Sequence, residues 1–385
     1  MTVVLPGTPA PAAGSSKAPV QTRSERFRSV NHAEFPEVTG REVDWKFTPV
    51  DRLRELLNGV LDGSPYEVSH TDAPGTAVAW LDRADERIGA AGIPEDRASA
   101  NAWGAFERAL HIDVTAREQT VLTVTRDSLG ATPRAAHTLV TAQPGSHGLV
   151  VLGSRGAAHL AENVEILVGE GAELTVVSVQ EWDDDAIHLA SHFARIARDG
   201  RLKHIVVSLS GSIVRVNPSA HLAEERAEAE MLGVYFADAG QHLEQQVYVN
   251  HDAPQTVSRV TYKGALNGQG AHTVWIGDVL IGRSAVGTDS YEQNRNLVLS
   301  EGTRADSIPN LEIETGDIAG AGHASATGRF DDEHLFYLQA RGIPEDEARR
   351  LVVLGFLTEV VQRIGEPELE AHLTKALEAE LEAAR

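Results

Sequence analysis

The chain has 385 residues and a formal net charge of −22, so it can hold two or three domains and is a poor match for nucleic acid or an anionic membrane. It contains no cysteine, which excludes disulfides, thiolate nucleophiles and clusters held by its own thiolates. A bound metal would need histidine, carboxylate or backbone oxygen ligands. The N-terminus lacks the features of a signal peptide, and no segment approaches the roughly 20 apolar residues of a membrane span, so we expect a cytoplasmic protein.

The first part of the chain divides into a tail and a helical region. Residues 1–20 are rich in Pro, Ala, Gly and Ser, which predicts a disordered tail. Residues 21–113 contain two helical patterns, "TPVDRLRELLNGVL", with Thr48 as N-cap, and "EDRASANAWGAFERAL". We therefore expect 21–113 to form an N-terminal helical subdomain whose apolar stripes are local core.

From about Val114 the chain changes to short β-rich runs separated by Gly, Ser, Asn or acidic corners, as in "VEILVGEGAELTVVSV". One interruption, 186–202, has the apolar spacing of a helix. The near absence of helices between the runs excludes a doubly wound α/β fold. The runs also lack a clear hairpin signal. The pattern leaves two architectures open for residues 114–325, a β-sandwich or barrel and a right-handed parallel β-helix.

Residues 326–385 return to helical patterns and are expected to form a C-terminal helical subdomain. The segment "IPEDEARRLVVLGFLTEVVQRIG" places Pro344 at a helix N-terminus before three acidic residues and Gly365 beyond the helix end. Its apolar side chains occupy more than one stripe, so the helix needs cover on two sides, either from the chain's own core and a partner or from packing of both C-terminal helices within the chain. The predicted partner-binding residues are Leu351, Leu354, Phe356, Leu357, Val360 and Val361.

Few motifs in the sequence point to chemistry. The signatures of a phosphate-binding loop, a nucleophile elbow, a zinc protease and a dinucleotide fold are all missing from the sequence. His188 and His192 have a spacing that would place both on one helix face, but no third ligand lies nearby in sequence. His323 stands alone among small residues in "GAGHASATG". It is the only side chain there that can bind a metal or move a proton, although a polar turn would explain it equally.

Two segments carry a family resemblance. They are "REVDWKFTPVDRL" near the N-terminus and the stretch from "NRNLVLSEGTRADSIPNLEIETGDI" through "GHASATGRFDDEHLFYLQARGIPEDEARRL". Both are similar to segments of the SufB/SufD family, the scaffold subunits of iron–sulfur cluster assembly. The resemblance implies a mainly β fold, with a right-handed parallel β-helix core between N-terminal and C-terminal α-helical subdomains.

Within this family, a chain of this length without cysteine resembles SufD, because SufB typically carries cysteines that are used in cluster building. The resemblance implies a non-catalytic scaffold that pairs with SufB and binds the ATPase SufC through its C-terminal helices. It also implies that His323 gives one imidazole to a transient iron–sulfur cluster, while SufB supplies the other ligands. The alternatives are a β-helix carbohydrate-active enzyme and a homodimeric scaffold that needs no SufB.

Overall fold

The computed structural model describes residues 26–329 and 332–383, so the predicted tail of 1–20 lies outside the described residues. The chain alternates between two nine-stranded sheets. The strands are β1 Ser69–His70, β2 Thr76–Asp82, β3 Arg108–Val114, β4 Thr120–Asp127, β5 Gly130–Ala142, β6 His147–Gly156, β7 Ala158–Val168, β8 Glu173–Trp182, β9 Ile187–Ile196, β10 Arg201–Ser208, β11 Ile213–Leu222, β12 Glu228–Ala237, β13 His242–His251, β14 Val257–Leu266, β15 His272–Ile281, β16 Asp289–Val298, β17 Arg304–Ile313 and β18 Gly320–Arg329.

The topology is a parallel β-helix. From β4 onward, each strand joins the sheet opposite to that of the strand before it, and from β3 onward strands two apart in sequence pair in parallel. Only β1 and β2 pair antiparallel to their neighbours, at the N-terminal end of each sheet. This arrangement confirms the predicted parallel β-helix and excludes the β-sandwich that the sequence pattern had left open.

Equivalent side chains stack from coil to coil inside the β-helix. Because strand residues alternate between two faces, every second side chain of both sheets points into one apolar core. Burial of each valine, leucine or isoleucine there stabilises the fold by roughly 1.5–3 kcal/mol. One stack on a single sheet consists of Ile166, Ala194, Ala220, Val249, Val279 and Leu311.

One corner of the β-helix is built from backbone that repeats from coil to coil. Five successive corner residues have positive φ, namely Gly171, Asp199, Arg226, Gln255 and Gly287. Each donates its backbone N–H to a carbonyl oxygen of the next coil, on Arg198, Glu225, Pro254, Val286 and Asp317 respectively. The corner therefore continues the hydrogen bonding of the sheets around the turn, which fixes the register between coils.

The N-terminal region contains less helix than the sequence predicted. Its helices are α1 Arg54–Asn58, which follows a 3-10 turn at Val50–Leu53, and α2 Arg97–Ala105. Thr48 does not cap a helix; its hydroxyl donates to Glu244 on β13. The surrounding segment packs against the outer face of one sheet, so tertiary contacts replace helical hydrogen bonds there.

The helix predicted over 186–202 is wrong, because this segment forms β9. Both faces of β9 are buried, one by the β-helix interior and the other by the N-terminal region. A strand that is covered on both sides does not show the alternation of apolar and polar residues that marks a half-exposed strand. Its apolar spacing therefore resembled that of a helix.

The C-terminal helices are α3 Asp332–Gln339, α4 Glu345–Val361 and α5 Pro367–Ala383. The expected start of α4 is confirmed, since Pro344 directly precedes it and three acidic residues occupy its first turn. The helices α4 and α5 pack on the outer face of the sheet that contains β6, β8, β10 and β12. The side chains of that sheet's strands in this second core are Leu149, Val151, Val177, Val179, Ile205, Val207, Leu232, Val234, Phe236 and Ala265.

Candidate functional site

His323 lies at the open end of the β-helix. Its strand β18 is the last of one sheet and β17 is the last of the other, and no strand in the described ranges pairs with their outer edges. His323 is paired in register with Glu292 on β16, so the two side chains point in the same direction. The His323 side chain is 46% exposed, because no further coil covers it.

Glu292 lies directly beneath His323 and is almost completely buried, with a side-chain exposure of 1%. Its Oε1 is 3.9 Å from His323 Nδ1, and neither of its carboxylate oxygens has a hydrogen-bond partner among the described residues. Burial and the negative charge of Asp278 raise the pKa of the Glu292 carboxyl to about 8, and the nearby backbone N–H of Asn310 opposes that rise without reaching good hydrogen-bond geometry.

A glycine on the opposite sheet makes room for this carboxylate. A Cβ atom on Gly277 would lie 2.3 Å from Glu292 Oε2 and 2.3 Å from the Trp275 ring. No larger residue fits at this position without displacing the carboxylate or the indole. The indole Nε1 of Trp275 is also buried without a partner in the described part of the chain.

A chain of polar groups connects this open end to the interior. Ser325 Oγ on β18 donates to Ser307 Oγ at 2.8 Å, and Ser307 Oγ donates to Asn294 Oδ1 at 2.7 Å. The Asn294 amide then donates to the Tyr235 hydroxyl at 2.8 Å. The interior of the last coils therefore contains a hydrogen-bonded polar chain beside its apolar side chains.

The sequence singled out His323 but missed its partner Glu292. These two residues belong to successive coils, and only the stacking register brings them together. Among the residues that the structure describes, no group of three or more potential ligands is close enough to hold a metal ion. The open end thus presents one accessible imidazole above one buried carboxylate, and these two groups alone are too few ligands to hold a metal ion.

His188 and His192 do not form a site together. They lie on β9 rather than on a helix, and each imidazole has its own partners. His188 Nε2 donates to Glu162 at 2.6 Å and its Nδ1 accepts from the Trp182 indole, while His192 Nδ1 lies 2.9 Å from His204 Nε2. Both histidines are buried side chains of the β-helix interior.

The six predicted partner-binding residues of α4 differ in their exposure. Leu357, Val360 and Val361 are buried in the core that α4 shares with the β-helix, so the chain itself covers them. Leu354 and Phe356 are half-buried at its margin. Of the six, only Leu351 is exposed. The part of the α4 surface that stays available to a partner is therefore narrower than the sequence predicted.

Two exposed aromatic side chains lie on α3, the helix that contacts α4. Phe336 and Tyr337 on α3, which contacts α4, are 71% and 56% exposed. Gly355 lies one turn after Leu351 on α4 and is exposed. The sequence did not predict that these two aromatic side chains are exposed, because the run "LFYL" was interpreted only as a motif shared with the family.

No helix in the described ranges has the length and hydrophobicity needed to cross a bilayer.

A family model described as "SUF system FeS cluster assembly, SufBD core domain" matches residues 124–356. The chain therefore belongs to the SufBD family of iron–sulfur cluster assembly proteins. This membership removes the reason for considering a β-helix carbohydrate-active enzyme.

Relatives in mycobacteria support the same assignment. An iron–sulfur cluster assembly SufBD family protein of Mycobacterium bovis is 46% identical over 371 residues, which cover 94% of this chain and 93% of that protein. One from Mycobacterium leprae is 44% identical, covering 92% of this chain and 93% of its own length. Mycobacterium leprae also has a second SufBD family protein, 26% identical over 71% of this chain and 31% of its own length.

Proposed function

We propose that this chain is the SufD-type scaffold subunit of a cytoplasmic iron–sulfur cluster assembly complex, and that it pairs with a SufB-type paralogue. The observation that carries the proposal is the position of His323 at the open end of the β-helix, half-exposed and without the further ligands that iron requires. The presence of two different SufBD proteins in Mycobacterium leprae supports pairing between paralogues.

The end of the β-helix is also suited to contact another chain. The outer edges of β17 and β18 carry backbone N–H and C=O groups that no strand of the described residues pairs with, and such edges readily bind another polypeptide. In this proposal the paralogue covers the end of the β-helix and supplies sulfur or carboxylate ligands. The cluster is then cargo of the complex, held in part by one imidazole, which binds iron less tightly than thiolates do.

The ATPase SufC docks, in this proposal, on the exposed surface of α3 and α4. Leu351 on α4 and Phe336 and Tyr337 on α3 are exposed apolar side chains of this helix pair, and Leu354 and Phe356 on α4 are half-buried. Gly355 lets a partner backbone approach α4 closely. ATP is hydrolysed by the partner, since this chain has no phosphate-binding motif in its sequence, and the chain acts as a non-catalytic scaffold.

The first experiment measures iron and acid-labile sulfide in the complex purified anaerobically with the paralogue and the ATPase. We expect His323→Ala to leave the complex assembled but to lower its iron and sulfide content severalfold. The control is His70→Ala, which changes an exposed histidine far from the open end. An unchanged cluster content in His323→Ala would refute the proposal that this histidine binds the cluster. A cluster assembled by the isolated chain would instead favour the homodimeric scaffold.

The docking surface is tested separately by co-purification with the ATPase. Leu351→Asp and Phe336→Ser are both expected to abolish binding, because each removes apolar area from the proposed contact. The matched control is Val60→Asp, since Val60 is 97% exposed and lies in the N-terminal region. Retained binding by both α3–α4 variants would exclude this surface.

A further inference from the structure

The geometry points to Glu292 as the positioning residue of the site: its carboxyl group accepts the Nδ1–H of His323, so that Nε2 faces the partner as the iron ligand. This inference rests on the proposed function, because it takes His323 as the ligand. It adds a residue that determines which nitrogen of the imidazole is available to the metal.

The Glu292 carboxylate is buried without a hydrogen-bond partner among the described residues. Burial of a carboxylate is costly unless it is paired or hydrogen-bonded. The other buried carboxylates of the described residues are all paired: Glu162 with Arg126 and His188, Glu165 with His137, Glu244 with Arg215, and Asp278 with Arg26. Glu292 alone has two oxygens without a hydrogen-bond partner. The half-exposed imidazole of His323 is a possible donor, with Nδ1 at 3.9 Å from Oε1 of this carboxylate.

The two side chains meet through Nδ1 of His323. This nitrogen lies 3.9 Å from Oε1 of Glu292. A hydrogen bond requires about 2.8–3.0 Å, so the gap closes by roughly 1 Å. His323 is the side chain that moves, because it is half-exposed, whereas Glu292 is held between its strand and the Gly277 backbone. Nε2 is on the opposite side of the ring from the Nδ1–Glu292 contact.

The chemistry of metal-binding histidines also favours a positioning role for Glu292. A histidine that binds a metal through one nitrogen almost always donates its other N–H to a carboxylate or carbonyl, which fixes the tautomer and the ring orientation. A carboxyl group has acceptor capacity in either protonation state. Glu292 is placed to fill this role from inside the β-helix, where the partner chain has no access to the buried carboxylate. Nε2 of the imidazole then remains free at the interface with the partner.

The test determines the tautomer of His323 in the isolated full-length chain without metal, by nitrogen-15 NMR of histidine-labelled protein at mildly alkaline pH. The signal is assigned by its loss in His323→Gln. We expect the wild-type proton on Nδ1, and we expect it to move to Nε2 in both Glu292→Leu and Glu292→Asp. The leucine removes the acceptor, and the aspartate is too short to reach it. The control Glu301→Leu removes an exposed carboxylate from the same end and should leave the tautomer unchanged.

A second readout is iron retention by the complex with the paralogue. Loss of such a positioning carboxylate lowers metal affinity by about 10–100-fold in other proteins, and we expect the same range for Glu292→Leu. A tautomer that is identical in wild type and both Glu292 variants overturns the inference, even where His323→Ala still loses the cluster and the proposed function stands. If His323→Ala keeps its cluster, the proposed role of His323 as a cluster ligand fails whatever the tautomer is. Thermal unfolding of each variant verifies that it is folded.

Discussion

Nδ1 of His192 lies 2.9 Å from Nε2 of His204 inside the β-helix, where β9 and β10 face each other from opposite sheets. The remaining nitrogen of each ring has no hydrogen-bond partner within the described chain. Burial lowers the pKa of His192 to about 4, and burial next to this second imidazole lowers the pKa of His204 well below its ordinary value. The pair is therefore neutral in the native protein at neutral pH.

This pair makes the stability of the fold sensitive to acid. Between about pH 6.5 and 4 the unfolded chain binds protons at both histidines while the native chain does not, so the free energy of unfolding falls as the pH falls. The loss reaches about 1.4 kcal/mol per pH unit for each histidine. We expect the double variant His192→Leu, His204→Leu to show a smaller loss between pH 7 and pH 5 in urea unfolding. The exposed His70→Leu serves as control, and an unchanged pH dependence in the double variant would contradict this prediction.

Arg215 should prove essential for attaching the N-terminal region. Its guanidinium is 2% exposed, contacts Asp96 at 2.9 Å and Glu244 at 3.1 Å, and lies 3.9 Å from the centre of the Trp45 ring. Removal of one partner from a buried ion pair costs about 3–5 kcal/mol, because it leaves the other charges uncompensated. We therefore expect Arg215→Met to lower the free energy of unfolding by that amount.

Limited proteolysis checks where the damage falls, since cleavage should concentrate before residue 100 in the Arg215→Met variant. The matched control is Arg226→Met, which removes an ion pair with Asp199 on the protein surface, where such pairs contribute little to stability. Equal destabilisation by the two variants would show that the buried contacts of Arg215 do not anchor this region.

The sequence predicted those features that depend on local signals. The start of α4 followed from Pro344 and its acidic first turn, and the short strands followed from their composition. The strand β9 was misassigned because its two covered faces hide the periodicity. Glu292 was not found because its contact with His323 depends on the register between coils. Corner lengths that vary along the chain determine this register, and no motif within either strand encodes it.

Two tyrosines inside the β-helix depend on glycines of the neighbouring coil. A Cβ atom on Gly264 would lie 1.8 Å from the Tyr235 ring, and one on Gly233 would lie 2.1 Å from the Tyr262 ring. We expect Gly264→Ala to destabilise the chain by about 1–3 kcal/mol, the usual effect of overpacking a core. Gly355→Ala is the control, because a Cβ atom there would have no atom within 4 Å and helix propensity should raise stability by about 0.5–1 kcal/mol. A Gly264→Ala variant as stable as wild type would contradict the tight packing of the two coils.

The two sides of α4 should respond differently to shortened side chains. Leu357 is completely buried against the β-helix, whereas Leu351 is exposed. We expect Leu357→Ala to lower the free energy of unfolding by about 2–5 kcal/mol, since it leaves a cavity in the second core. Leu351→Ala should change stability by no more than about 0.5 kcal/mol. Urea unfolding of the isolated chain measures both values. A large loss of stability in Leu351→Ala would mean that this residue stabilises the fold itself. Leu351 would then no longer count as a contact of the proposed ATPase-docking surface on α3 and α4.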